Sequence, residues 1–156
     1  MEKITLPNGL LFDEVTRLLS EGKEVIIPTK GSSMLPFIRG EKDCVALVRK
    51  QEVKEGDIVL AFVEGNRYIL HRIWSVEGEK VTLMGDGNIS GKELCRVPDI
   101  SGTVTQIVKP DGRRISVDTQ AFRRRSRIWR KLLPFRRYIL FIYRRYPYVS
   151  IFIFRR

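Results

Sequence analysis

The 156-residue chain is 43% hydrophobic and 30% charged, a composition that suits one globular domain and argues against a disordered tract or a multidomain assembly. Its formal charge of +11 is unevenly placed: residues 1–118 hold all 18 acidic side chains and 17 of the 29 Lys and Arg, so the excess charge lies entirely after Asp118. A nearly neutral body with a basic end is not a uniformly basic nucleic-acid-binding domain. Two cysteines 51 positions apart, Cys44 and Cys95, and the single histidine, His71, argue against a four-ligand zinc site, and no metal or other cofactor is expected.

In chain order, the opening Met-Glu-Lys reaches Pro7, Asn8 and Gly9 without an apolar run, so neither a secretory leader nor a leading membrane span is expected. Asn8 offers a helix N-cap, Leu11, Val15, Leu18 and Leu19 follow at helical spacing, and Gly22 stands where a helix would stop, which predicts one amphipathic helix over 9–21. Seven β-rich runs follow, at 24–29, 43–49, 57–63, 67–76, 80–84, 103–109 and 113–117. Glu64-Gly65-Asn66, Glu77-Gly78-Glu79 and Pro110-Asp111-Gly112 have hairpin chemistry, so neighbouring strands should be mostly antiparallel. The expected fold is mainly β, with one N-terminal helix and a basic amphipathic C-terminal tail. Acids disappear near residue 119, where the folded body (1–118) should give way to the tail (119–156).

Pro28-Thr29-Lys30-Gly31-Ser32-Ser33-Met34-Leu35-Pro36 puts small polar residues between a β run and a proline turn, where a hydroxyl is left exposed at a strand end. A solvated Ser/Gly loop reads the same from this segment alone. Three further segments follow in order: Gly56-Asp57-Ile58-Val59, Leu70-His71-Arg72-Ile73 and Gly85-Asp86-Gly87-Asn88. Together the four resemble the superfamily of serine peptidases that contains the signal peptidases and the self-cleaving LexA-like repressors. In that superfamily the nucleophilic serine precedes a methionine, as in Ser33-Met34, and the base lies on a later strand. The His-Arg-Ile context resembles the branch that uses histidine as base rather than lysine. The match covers roughly residues 25–108.

The resemblance implies a signal-peptidase-like antiparallel β fold, a peptide or protein substrate, Ser33 as nucleophile and His71 as general base. The chemistry is sound on its own terms, because a serine hydroxyl needs a neighbouring base and an imidazole titrating near neutrality supplies one. On a strand, His71 would share a face with Ile69 and Ile73, and desolvation there would favour its neutral form. A lone histidine between apolar neighbours is otherwise commonly structural. Asp86 is the candidate to orient the imidazole, although Asp-Gly and Gly-Asn are also ordinary turn formers. Asp57 reads as a structural turn residue.

Gly31 stands where signal peptidases usually have a serine that helps bind the oxyanion, which leaves that task to backbone N–H groups, that of Ser33 foremost, with Ser32 as helper. Met34, Pro36 and Phe37 either line the substrate cleft or pack in the core. Only a helix precedes Ser33, which departs from the membrane-anchored preprotein peptidases. The 32 residues before it are too few for a repressor's DNA-binding domain and cleavage segment. Both cysteines read as small core residues.

From Arg123 to Arg156 the chain carries 12 Lys and Arg and no acid, with apolar clusters at 138–143 and 148–154. Arg144, Arg145 and Pro147 interrupt any spanning helix. Trp129, Tyr138 and Phe141 beside arginines suit an interfacial segment on anionic lipid, so residues 123–156 are expected to bind a membrane surface peripherally, with a protein partner next and nucleic acid a lesser reading. A cytoplasmic location, or the inner face of the membrane, follows as the expectation. The competing functional class is a catalytically silent adaptor that keeps the peptidase fold and works through its tail.

Overall fold

Short apolar-rich runs recur after Gly22, and in the computed structural model, which describes residues 8–146, these runs pair into one sheet. The opening residues and the apolar cluster at 148–154 lie outside the described residues. Helix α1 (Asn8–Ser20) begins one residue before the expected start, so Asn8 is its first residue rather than its cap. It ends as expected: Gly22, at φ +81°, donates to the Leu19 carbonyl and Lys23 to that of Leu18, the paired bonds of a Schellman stop.

The strands are β1 (Val25–Pro28), β2 (Cys44–Val48), β3 (Ile58–Val63), β4 (Arg67–Glu77), β5 (Lys80–Met84), β6 (Glu93–Arg96), β7 (Ile100–Val108) and β8 (Arg114–Ser116). They form an antiparallel sheet in the order β1-β2-β7-β3-β4-β5-β6, with β8 on β7. Because β2 occupies one edge of β7, β3 and β8 take successive lengths of the other, opposite residues 100–103 and 106–108. The three hairpins stand where the turn residues put them, with Gly65, Gly78 and Gly112 all at positive φ. Strand β6 has no counterpart in the sequence reading, and β7 starts three residues early. Gly102 breaks its pattern there because an added Cβ would lie 2.8 Å from the Leu19 side chain.

The sheet buries both faces. On one, Leu60, Ile58, Val104 and Ile107 meet Val15 and Leu19 of α1 and Met34, Phe37 and Ile38 of the serine loop. On the other, Val59, Ala61, Ile73, Val81, Leu83 and Ile100 form a second core. The folded body does not end near residue 118. Helices α2 (Gln120–Lys131) and α3 (Arg136–Arg145) follow, joined through a 3₁₀ turn at Leu133–Phe135, and Phe122, Trp129 and Leu140 are buried in the first core. Thr119 caps α2 by accepting from the Phe122 N–H. The charge change at residue 119 marks a change of surface, not the edge of the fold. Among the described residues no helix is long and apolar enough to cross a membrane.

Candidate active site

The serine loop leaves β1 at Pro28 and is anchored at both ends. Thr29 donates from its N–H and its hydroxyl to the Asp43 carbonyl, and the buried Asp43 carboxylate accepts from the Arg39 N–H and the Lys109 ammonium, at 2.8 and 2.9 Å. Gly31 and Gly40 touch so closely that a Cβ on Gly40 would fall 1.9 Å from the Gly31 carbonyl oxygen. Met34, Pro36, Phe37 and Ile38 turn into the core, which leaves Ser32 exposed and Ser33 half-buried at the rim. Met34 is thus a core contact beside the serine. The Ser33 N–H has no protein acceptor among the described residues.

Against this loop lies the turn Gly85-Asp86-Gly87-Asn88. The Gly87 N–H donates to the Ser33 carbonyl at 2.8 Å. A Cβ on Gly87 would sit 2.1 Å from the Ser32 oxygen, and one on Gly85 2.4 Å from the Ser33 oxygen, so both glycines are demanded by close backbone approach.

His71 lies on β4 with Ile69 and Ile73 on the face of the second core, as its alternation predicts, and is 8% exposed. The register of β4 and β5 pairs Arg72, next to His71, with Met84, the last residue of β5, and Gly85 follows directly. At Gly85 the Ser33 carbonyl occupies the place a side chain would take. The Ser33 carbonyl thus lies against the residue that follows β5, the strand paired with β4 and its His71. Burial pushes the His71 pKa below its ordinary value; Glu93 and Asp86 push it up and Arg67 adds to the lowering, but desolvation prevails. Its Nδ1 is enclosed without a hydrogen-bond partner, whereas Nε2 is not so enclosed.

Asp86 takes a different place from the one its spacing suggested. Its carboxylate receives Arg72, with Nε to Oδ1 at 2.8 Å and Nη2 to Oδ2 at 2.7 Å, and it makes no hydrogen bond to His71. The reason is the strand's alternation: residues 71 and 72 point to opposite faces, and Asp86 turns to the arginine side. Arg72 also donates to the Gly56 carbonyl and lies over the rings of Phe37 and Phe122. This one guanidinium therefore ties together three of the four sequence segments and α2. Asp57 has the structural role expected of it, its carboxylate accepting from the Lys54 N–H and its carbonyl from Ile73.

Sequence reasoning missed the part played by the C-terminal helices. The Trp129 indole donates to the Asp86 carbonyl at 2.9 Å, Arg136 to that of Asn88 at 3.1 Å, and Arg144 to that of Gly87 at 3.4 Å. The supposed tail thus holds the turn that holds the serine. Phe122 and Trp129, seven positions apart in a helix rich in arginine, were the signal for a buried face. Cys95 is buried, which raises its thiol pKa to about 11, and Cys44 is half-buried; neither is paired. Among the described residues no group of three or more His, Cys, Asp or Glu could hold a metal ion. No protein-family model matches the chain, and no curated protein matches it either.

Proposed function

We propose that the protein is a serine endopeptidase with a signal-peptidase-like fold, cleaving a peptide or leader segment with Ser33 as nucleophile and His71 as general base. The observation that carries this reading is the clamp of Gly85 and Gly87 on the Ser32-Ser33 backbone, at the end of the strand that pairs with β4 and its His71. Ser33 Oγ adds to the scissile carbonyl as His71 Nε2 takes its proton. The same proton then passes to the leaving amine, and the resulting ester is hydrolysed by a water that His71 deprotonates. The free Ser33 N–H is the foremost oxyanion donor, with Ser32 beside it. Asp86 acts as a positioning residue, through Arg72 and the turn, and its charge favours the imidazolium formed at each proton transfer.

The direct test is labelling with a fluorophosphonate and mapping the adduct. Wild type should be modified at Ser33, and His71→Ala should lose the labelling while keeping its fold. Labelling of another residue, or equal labelling of both proteins, would overturn the reading.

A second reading is favoured by the outward side of α3, where Tyr138 is 62% and Phe141 67% exposed between Arg137 and Arg145. There the fold serves as an adaptor on an anionic membrane surface, or the peptidase itself works peripherally at the inner face of the membrane or in the cytoplasm. Trp129 is 3% exposed and has no part in that contact, which within the described part of 123–156 falls to the outward side of α3 together with the exposed Ile128, Phe135 and Tyr146. Nucleic acid is the lesser alternative and would show as salt-sensitive gel retardation.

A further inference from the structure

On the face of β4 opposite His71, a cavity of about 230 Å³ opens between the ends of β3 and β4 and the inner side of α2. Trp74, Met84, Val117 and Phe122 give it apolar walls, and six cationic side chains line it against four carboxylates. Three of those carboxylates are already ion-paired: Asp86 with Arg72, Asp118 with Arg123 and Glu55 with Arg130. The fourth, Asp57, accepts from the Lys54 backbone.

What remains is positive. Arg136 is 2% exposed, hydrogen-bonds only to backbone carbonyls, and keeps a buried Nε–H without an acceptor. A buried guanidinium with an unsatisfied donor is costly, and an anion is what would compensate it. At the cavity mouth the side chains of Arg127 and Lys54 are exposed and have no ion-pair partner among the described residues. The volume falls just below the roughly 300–1,000 Å³ of sites for drug-sized ligands, so it fits one ring or a short branched chain with a charged head.

We propose that this cavity is a binding site for a small anion with an apolar body, an aryl or short-chain carboxylate or phosphate ester, held by Arg136, Arg127 and Lys54. Arg72, Asp86 and Arg136 of its lining also hold the turn at residues 85–88, but the binding proposed here does not rest on the serine chemistry. The anion's head meets the cations, and its body displaces water from the walls of Trp74 and Phe122.

Isothermal titration calorimetry of the full chain tests this with four probes: 3-phenylpropionate, phenyl phosphate, inorganic phosphate and 3-phenylpropylamine. The two phenyl-bearing anions should saturate one site at least about tenfold more tightly than inorganic phosphate, and the amine should not bind there. Arg136→Gln should abolish this binding. Because that variant removes a buried anchor, Lys54→Gln with Arg127→Gln is the companion, expected to fold normally and to weaken binding about tenfold or more. Arg124→Gln, on the exposed side of α2 away from the cavity, should leave binding unchanged. Absence of binding by either anion, equal binding of the amine, or equal weakening by Arg124→Gln and by the double variant would overturn the proposal.

Discussion

The serine loop reaches the turn at residues 85–88 only because Gly85 and Gly87 carry no side chain. Gly87→Ala would force a methyl into the Ser32 carbonyl, so it should destabilise the fold by about 1–3 kcal/mol and displace the serine loop, with peptidase activity falling further than stability. Denaturant melts and turnover measured on the same variant separate the two effects. His71 brings a pH dependence of definite sign. Its folded pKa is below 6.5, so the neutral base survives in mildly acidic solution and the acid limb of kcat/KM should fall below pH 6.5. Stability linked to this residue is fully present above pH 6.5. It declines as pH drops from 6.5 toward the folded value, because the unfolded chain takes up a proton that the native one refuses. The difference in urea midpoint between wild type and His71→Gln, followed across that range, should show this decline.

The Arg72 and Asp86 pair belongs to the same scale. Asp86 is buried and Arg72 mostly so, and Arg72→Ala, which leaves the buried carboxylate without its partner, should cost about 3–5 kcal/mol in chemical denaturation. The pairing of Arg72 with Asp86 was not legible in the sequence. Spacing alone gives Asp86 either neighbour on β4, and only the register, with Met84 opposite Arg72, decides that its carboxylate serves the arginine face.

At the scale of elements, periodicity was a good guide wherever an element buries one face. Helix α1 and seven of the strands stand within a few residues of their expected bounds. Strand β6 escaped because Glu93-Leu94-Cys95-Arg96 is a short edge run with only Cys95 buried. Helices α2 and α3 escaped for another reason: twelve cations made residues 119–156 look like an appendage, and the few buried residues among them carry the packing. The consequence is testable. A chain ending at residue 119 should fail to fold or should aggregate, because it uncovers the core beneath Phe122 and Trp129 and strips three carbonyl partners from the turn at residues 85–88. Trp129→Ala in the full chain should cost about 3–5 kcal/mol, read from its denaturation midpoint. A soluble, cooperatively melting truncation would contradict this account of the C-terminal helices.

At the scale of the whole molecule, the two halves of the charge distribution serve one surface arrangement. A nearly neutral body carries the serine loop and His71, and the cationic helices seated on it present Tyr138 and Phe141 outward between arginines. Sedimentation with vesicles rich in anionic lipid should therefore retain the full chain, and Phe141→Asp or raised salt should release it. Equal sedimentation with neutral vesicles would contradict an electrostatic contribution.

Mass-spectrometric profiling of a diverse peptide library, with wild type, Ser33→Ala and His71→Ala side by side, puts the serine chemistry itself to the test. Cleavage by wild type, with each variant slower by about a thousandfold or more, is the predicted result. Undiminished cleavage by either variant, or none by wild type with or without anionic vesicles, would contradict it.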